Sequence, residues 1–298
     1  MQKPTKSGYV AISGKPNVGK STLLNSILGQ KLSITSRKPQ TTRHNILGIK
    51  TEDNVQVIYV DTPGIHSKIK NVMNRYMNQA ARSAVLGVDL ILFVTGGVNW
   101  QEEDENILKF LQTQGVPIFL LINKIDLIAD KEKLLLFVDR IRQQADFAQI
   151  LYISALRSQE VGKLETLIKD YLPATPHVFA EDEITDKNAK FIVAERVREK
   201  LTRKLGAELP YAITVQVAAF EEEDKIIKIL AIIFVERNNQ KAIVIGKDGS
   251  MLKNVGQAAR QELEDIMGKK ILLKLWVKVR SGWADDKRLL NSLGYQSE

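Results

Sequence analysis

Through residue 172 the chain alternates short apolar runs with segments whose apolar residues recur at helical spacing. The runs at 9–13, 45–50, 55–61, 89–95, 116–122 and 150–153 have the length of buried strands. Helical patterns lie between them: 22–28 stopping at Gly29, 74–86 before Gly87, 102–113 before Gly115, 131–143, and 162–172. This order predicts an α/β domain with a mostly parallel sheet, in which 45–50 and 55–61 can pair as an antiparallel edge hairpin. The pattern breaks at Pro173-Ala174-Thr175-Pro176-His177 and the acidic Glu181-Asp182-Glu183, which read as an extended connection. An amphipathic helix follows at 188–205, with Phe191, Ala194, Val197, Leu201 and Leu205 on one face. Strands at 211–220 and 226–235, a short helix at 240–245, a helix at 250–267 and a strand at 271–279 complete an α+β unit. The expected division is a domain at 1–172, a linker at 173–187, a second domain at 188–281 and a C-terminal tail at 282–298.

Chemistry sits at the strand ends. Gly14-Lys15-Pro16-Asn17-Val18-Gly19-Lys20-Ser21 fits G-x-x-x-x-G-K-[ST] and lies between the run Tyr9-Val10-Ala11-Ile12 and a helix. Backbone N–H groups there can converge on phosphate oxygens, the helix dipole adds positive potential, and Lys20 can reach the outer phosphates. Ser21 is left to ligate Mg²⁺. Asn123-Lys124-Ile125-Asp126 follows another strand pattern. Asp126, an acceptor-only group, can take both hydrogen bonds from the N1–H and 2-amino donors of guanine, a pair adenine lacks. Asn123 suits either bracing the loops or touching the base, and the stem of Lys124 can lie over its face. The strand 55–61 ends in Asp61-Thr62-Pro63-Gly64, where Asp61 can hold a Mg²⁺-bound water and the Gly64 N–H can meet a γ-phosphate. In 31–45, which has no apolar period, the hydroxyl of Thr41 or Thr42 could complete the Mg²⁺ shell only when that phosphate is present, as in a switch loop.

The ordered set G-x-x-x-x-G-K-S, Thr-Thr, D-T-P-G, N-K-x-D and Ser154-Ala155-Leu156 resembles the translation-factor-like class of GTPases. Within it, Gly14 to Thr22, Pro39-Gln40-Thr41-Thr42-Arg43-His44 and Asp61-Thr62-Pro63-Gly64-Ile65 are most similar to the Era family. The resemblance extends the nucleotide-binding set to Lys15, Pro16, Val18, Thr22, Thr62, Pro63, Ser154 and Ala155. It places the switches at Gln40, Thr41, Thr42, Arg43, Gly64 and Ile65, and chooses Thr42 over Thr41 as the Mg²⁺ ligand. Ile65 stands where Ras-like GTPases carry a water-positioning Gln, which implies slow intrinsic hydrolysis. In related GTPases with that exchange an Asn at the position of Asn17 helps bind K⁺, although Asn also simply favours tight turns.

Composition narrows the setting. There is no Cys, which excludes structural disulfides and thiolate metal sites. No apolar run approaches the length of a membrane span, and no apolar segment follows the basic N-terminus, so a soluble cytoplasmic protein is expected. A net charge of +8 points to a polyanionic partner.

In the second domain the order α-β-β-α-α-β carries Gly246-Lys247-Asp248-Gly249 between its two middle helices, and so resembles a type II KH domain. Glycines there let a sugar-phosphate strand approach closely. Ile243, Val244 and Ile245 are the expected apolar floor, and Lys247 and Lys253 the nearest cations, with Arg260, Lys269, Lys270, Lys274, Lys278 and Arg280 as further candidates. Met251, Leu252 and Val255 read as core. Trp276 reads as packed within its strand, and Trp283 is open to base stacking.

A GTPase followed by a type II KH domain is the Era arrangement. The resemblance implies GTP, GDP and Mg²⁺ as ligands, single-stranded RNA near the 3′ end of 16S ribosomal RNA as partner, and a monomer acting in 30S subunit assembly. Membrane association, as often described for Era proteins, is a competing reading, as is an RNA binder indifferent to nucleotide. A P-loop kinase or ATPase would not need Asp126. Asp126→Asn is therefore expected to weaken GTP binding about 10- to 150-fold, the worth of one or more hydrogen bonds to a charged group, while ATP binding stays unchanged by calorimetry.

Overall fold

The structure is a computed structural model that describes residues 4–36, 38, 41–65, 71–206 and 209–295. The chain divides into two compact units with the main boundary between Asp186 and Lys187. In the first, β1 (Lys6–Ser13), α1 (Lys20–Leu28), β2 (Ile46–Glu52), β3 (Val55–Asp61), α2 (Val72–Ser83), β4 (Leu90–Gly96), α3 (Glu102–Gln112), β5 (Ile118–Asn123), α4 (Lys131–Ile141), β6 (Gln149–Tyr152) and α5 (Ser158–Asp170) follow in turn. The six strands lie in the order β2-β3-β1-β4-β5-β6, parallel except for the β2–β3 hairpin. Helices cover the sheet, and side chains such as Phe93, Leu120 and Ile122 pack against Ile107, Leu111 and Ile141 from α3 and α4. Because β1, β3, β5 and β6 run the same way, the loops after Ser13, Asp61, Asn123 and Tyr152 all emerge at one edge. Helix α5 starts at Ser158, earlier than its periodicity predicts, and carries Gly162 in its interior.

The segment 173–186, expected as a linker, is fastened to the first unit. Thr175 Oγ1 donates to Ser7 O at 2.7 Å. Gln56, fully buried on β3, accepts from the Val178 and Phe179 N–H groups at 2.8 and 3.0 Å and donates to Phe179 O at 2.9 Å. Ile49 N donates to Ile184 O at 2.9 Å, so the segment satisfies part of the free edge of β2. The prolines prevent a helix, and the exposed edge supplies another use for extended backbone.

The second unit contains α6 (Ala189–Lys204), β7 (Ile213–Glu222), β8 (Ile226–Val235), α7 (Asn238–Ile245), α8 (Ser250–Met267), β9 (Lys270–Val279) and α9 (Lys287–Ser292). Its sheet runs β7-β8-β9, with β7–β8 antiparallel and β8–β9 parallel. Val197, Leu201, Ile233, Val244, Val255 and Ala259 join the helices to one sheet face.

Two expectations about tryptophan are reversed. Trp276 is 61% exposed, and Trp283 is fully buried with its Nε1 donating to Ala212 O at 3.0 Å. The apolar run around Trp276 hides a strict alternation: Ile271 and Val277 face the helices, and Leu272, Trp276 and the lysines face away. The segment after 281 is not a tail but a packed closure, in which Trp283, Leu289, Leu290 and Tyr295 are all buried. Helix α6 departs from simple amphipathicity as well, since Glu195, Arg196, Arg198 and Glu199 are buried. Arg198 forks onto Glu195 at 2.7 and 2.6 Å, Arg203 meets Glu199 at 2.9 Å, and Arg196 Nε lies 3.2 Å from Glu262, so these charges enter the interior already paired.

Trp283→Ala should cost the second unit about 3–5 kcal/mol, as for other large buried aromatics. Trp276→Ala should stay within about 0.5 kcal/mol of the parent, and urea denaturation of both variants checks the contrast.

Candidate nucleotide site and nucleic-acid groove

The loop after β1 has its shape forced by contacts with its neighbours. At Gly14, with φ +142°, an added Cβ would lie 2.3 Å from Val94 O, and at Gly19, with φ +107°, one would lie 2.2 Å from Asn123 Nδ2. Asn17 has φ 63°, which Asn tolerates and which gives this residue a conformational role independent of any cation. The loop wraps Lys20, whose buried Nζ donates to Gly14 O at 2.9 Å and Lys15 O at 2.8 Å. Burial lowers the Lys20 ammonium to about 8, against the opposing pull of Asp61.

Three oxygens gather beside it. Ser21 Oγ lies 2.6 Å from Thr42 Oγ1 and donates to Asp61 Oδ2 at 2.8 Å. Burial pushes the Asp61 carboxyl above its ordinary range, against the pull of the Lys20 charge and the Ser21 and Thr42 hydroxyls. Asp61 Oδ1 is buried without a hydrogen-bond partner. An all-oxygen set with an unsatisfied carboxylate atom fits a hard cation, so Ser21, Thr42 and Asp61 suit Mg²⁺. Thr41 is turned away, donating to Lys38 O at 2.6 Å, and Arg43 is buried; Gln40 lies outside the described residues.

The turn after β3 abuts the phosphate loop. A Cβ on Gly64 would come within 2.6 Å of Pro16 N, so only glycine permits this approach. Thr62, expected at the nucleotide, instead donates its buried hydroxyl to Ile12 O at 2.9 Å and pins the turn to β1. Ile65 packs its side chain against the apolar cluster of the first unit.

On the base side, Asn123 acts as a brace. Its Nδ2 donates to Val18 O at 2.8 Å, and its Oδ1 accepts from Ala155 N at 2.9 Å. Lys124 Nζ reaches Asn17 O at 2.5 Å. Asp126 is exposed in the short turn Ile125–Leu127, and Ser154, after β6, is buried with its Oγ unpartnered.

Two supports escaped sequence reasoning. Asn25, one turn after Ser21 on α1, accepts from Leu32 N and Ser33 N at 2.9 and 2.8 Å and donates to Ser33 O at 2.7 Å, fixing the start of the loop that carries Thr42. An Asn inside a helix, where it is a poor former, was the available signal. Asp104, fully buried, pairs with Lys15 at 2.6 Å and caps Gln101 N at 2.9 Å. Its place three residues into α3 marks it as a capping residue from sequence, but nothing there reveals Lys15.

In the second unit, Gly246 has φ +75° and packs so closely that a Cβ would meet Met251 Cβ at 2.6 Å, and Gly249, at φ +73°, faces open space. A groove of about 470 Å³ runs beside them between α8 and β9. Leu252, Leu273 and Leu275 form its floor, and Lys253, Gln257 and Arg260 its polar side. The expected floor at 243–245 is not found: Val244 is buried in the core, Ile243 is 53% exposed, and Ile245 packs beside the core. Consecutive residues on α7 point about 100° apart, so three in a row cannot line one surface.

Residues 9–124 match the family of 50S ribosome-binding GTPases, and residues 208–284 match the KH domain. GTPase Era of Pseudomonas aeruginosa strain LESB58 is 51% identical over 291 residues, which cover 98% of this chain and 95% of that protein. The chain belongs to the Era family of GTPases. GTPase Era of Azotobacter vinelandii is 52% identical, with 98% and 97% covered. Among solved structures, Era in complex with MgGDPNP and nucleotides 1506–1542 of 16S ribosomal RNA superposes with a TM-score of 0.94 at 40% identity, covering 98% of this chain and all of that one. An Aquifex aeolicus Era variant bound to GDP and AlF4⁻ superposes with a TM-score of 0.93 at 40% identity over 98% of this chain. This Era-family chain is thus a GTPase whose nucleotide loops and KH groove lie in separate units.

The depressed Lys20 gives a pH signature. Polyphosphate raises that pKa again, so nucleotide binding takes up a proton once the free protein has lost it. GDP affinity should be flat below about pH 8 and fall above it, by about one decade per pH unit at the steepest. Titration of a fluorescent GDP across pH 6–10 tests this; Lys20→Arg should bind more weakly and lose the inflection.

Proposed function

We propose that this GTPase is a nucleotide-driven switch whose KH groove holds the 3′ end of 16S ribosomal RNA during maturation of the small ribosomal subunit in the cytoplasm. The carrying observation is the contact of Thr42 with Ser21 and Asp61, which ties a loop outside the sheet to the oxygen cluster at its edge. When bound there, Mg²⁺ supplies positive charge to the β- and γ-phosphate oxygens. The chain's own part is positioning. Lys20 and the N-terminus of α1 hold the phosphates, Asp126 selects guanine, and Asn25 keeps the start of the Thr42 loop in place.

Gly64 abuts Pro16, so the turn after β3 and the phosphate loop cannot move independently. Loss of the γ-phosphate removes the partner of the Gly64 N–H and the reason for Thr42 to remain at the cluster. The two loops then relax together, and affinity elsewhere in the chain can follow their populations. Ile65 offers no group to orient water, which suits a timer that waits for assembly to supply the missing electrostatics. For RNA, the leucine floor accepts base faces while Lys253 and Arg260 attract phosphate. The homologous complex, which holds both a GTP analogue and ribosomal RNA, supports this reading.

RNA spanning nucleotides 1506–1542 should bind about 5- to 150-fold more tightly with a non-hydrolysable GTP analogue than with GDP, the usual span of coupling between sites. Thr42→Ala should erase the difference. Equal affinities in the two nucleotide states would reject the coupling and leave both sites standing.

A further inference from the structure

The outer face of the second unit's sheet carries a feature that the groove does not explain. Strand β9 is an edge strand, and its side chains alternate between two surfaces. Leu273 and Leu275 point into the groove. Lys274, Trp276 and Lys278 point the other way and are exposed, with Leu272 on the same side at 43%. The register sets Trp276 beside Ile232 and Lys274 beside Leu230, both half-buried, so the indole stands on an apolar strip. Nearby basic residues are engaged: Lys228 with Glu223, Lys269 with Glu222, and Arg280 with Asp286. Lys274 and Lys278 are exposed and make no ion pair among the described residues.

We propose that this face is a second RNA contact, met by nucleotides that leave the KH groove and cross the edge strand, with Trp276 stacking on a base and Lys274 and Lys278 attracting the flanking phosphates. The proposal rests on the groove reading and extends it. Continuity is the first argument, because one strand supplies both surfaces and only its width separates them. Chemistry is the second. Lysines on an edge strand guard against unwanted strand pairing, but that duty gives no reason for a largely exposed Trp between them. An aromatic ring with a cation two residues to either side, each about 7 Å away along the strand, is the combination that binds unpaired nucleic acid without reading its sequence. A lipid surface would also accept Trp and Lys, but it would not need them on the reverse of an RNA groove.

The full chain should be titrated with RNA of nucleotides 1506–1542, with pieces of it about ten nucleotides long, and with pieces of about four, the length a KH groove clamps. Trp276→Ala is expected to weaken the longer RNAs about 5- to 150-fold and to leave four-nucleotide binding unchanged. Lys274→Gln combined with Lys278→Gln should reduce the slope of log affinity against log salt by about 1.4 for the longer RNAs only. Trp276→Phe should retain most of the affinity. Unaltered long-RNA binding in both variants, or equal losses on short and long pieces, would overturn the proposal. Failure of wild-type protein to bind any piece would reject the groove reading and this extension with it. Variants that keep RNA affinity but stop sedimenting with phosphatidylserine-containing vesicles would assign the face to lipid instead.

Discussion

One buried amide side chain holds the nucleotide site together. Asn123 hydrogen-bonds the phosphate loop through Val18 and the last strand's loop through Ala155, while itself ending β5 just before the turn that carries Asp126. Its Nδ2 occupies the space that a side chain at position 19 would need, so the Gly19 conformation and the Asn123 bridge require each other. The spacing between the phosphate-loop motif and the loop that carries Asp126 is therefore set by protein contacts. Removing the amide would leave a buried carbonyl and a buried N–H unpaired, at about 1–3 kcal/mol each, and would release all three loops at once.

Around that frame, charges are stored where folding alone would not place them. Lys20 is buried inside the ring of carbonyls it caps, Asp61 lies in the interior with one oxygen unsatisfied, and Asp104 is desolvated against Lys15. Each lowers the stability of the isolated chain relative to an apolar packing of the same volume. For Lys20 and Asp61, the proposed phosphate and cation would offset that cost on binding, whereas Asp104 already has its partner in Lys15. The same logic explains why Asn25 and Asp104 act at a remove, holding backbone so that the charged groups need not reorganise.

Sequence revealed the parts of this design that follow local rules. Strand and helix periods, the glycine-rich turn and the spacing of Asp61, Asn123 and Asp126 are short-range signals, and the sheet then gathers them at one edge without further information. What stayed hidden depends on contacts between distant residues. The bridge from Lys15 to Asp104, the fastening of 178–184 to Gln56 and Ile49, and the burial of Trp283 all join positions far apart in the chain. Trp276 was misread for a different reason. In a run of Leu, Lys and Trp, hydrophobicity alone does not say which of two alternating faces meets the helices, and a single step of register exchanges them.

The parallel pairing of β8 with β9 carries a consequence for how the second unit comes to exist. The β7–β8 hairpin is local and closes on the microsecond scale, whereas β9 can dock only after α7, the glycine loop and α8 have been laid down as its crossover. Because Leu273 and Leu275 belong to that last strand, the ligand-holding floor is assembled at the end of folding. The nucleotide-binding half and the β7–β8 hairpin can therefore form before the leucine floor exists, because that floor waits for β9 to dock beside β8.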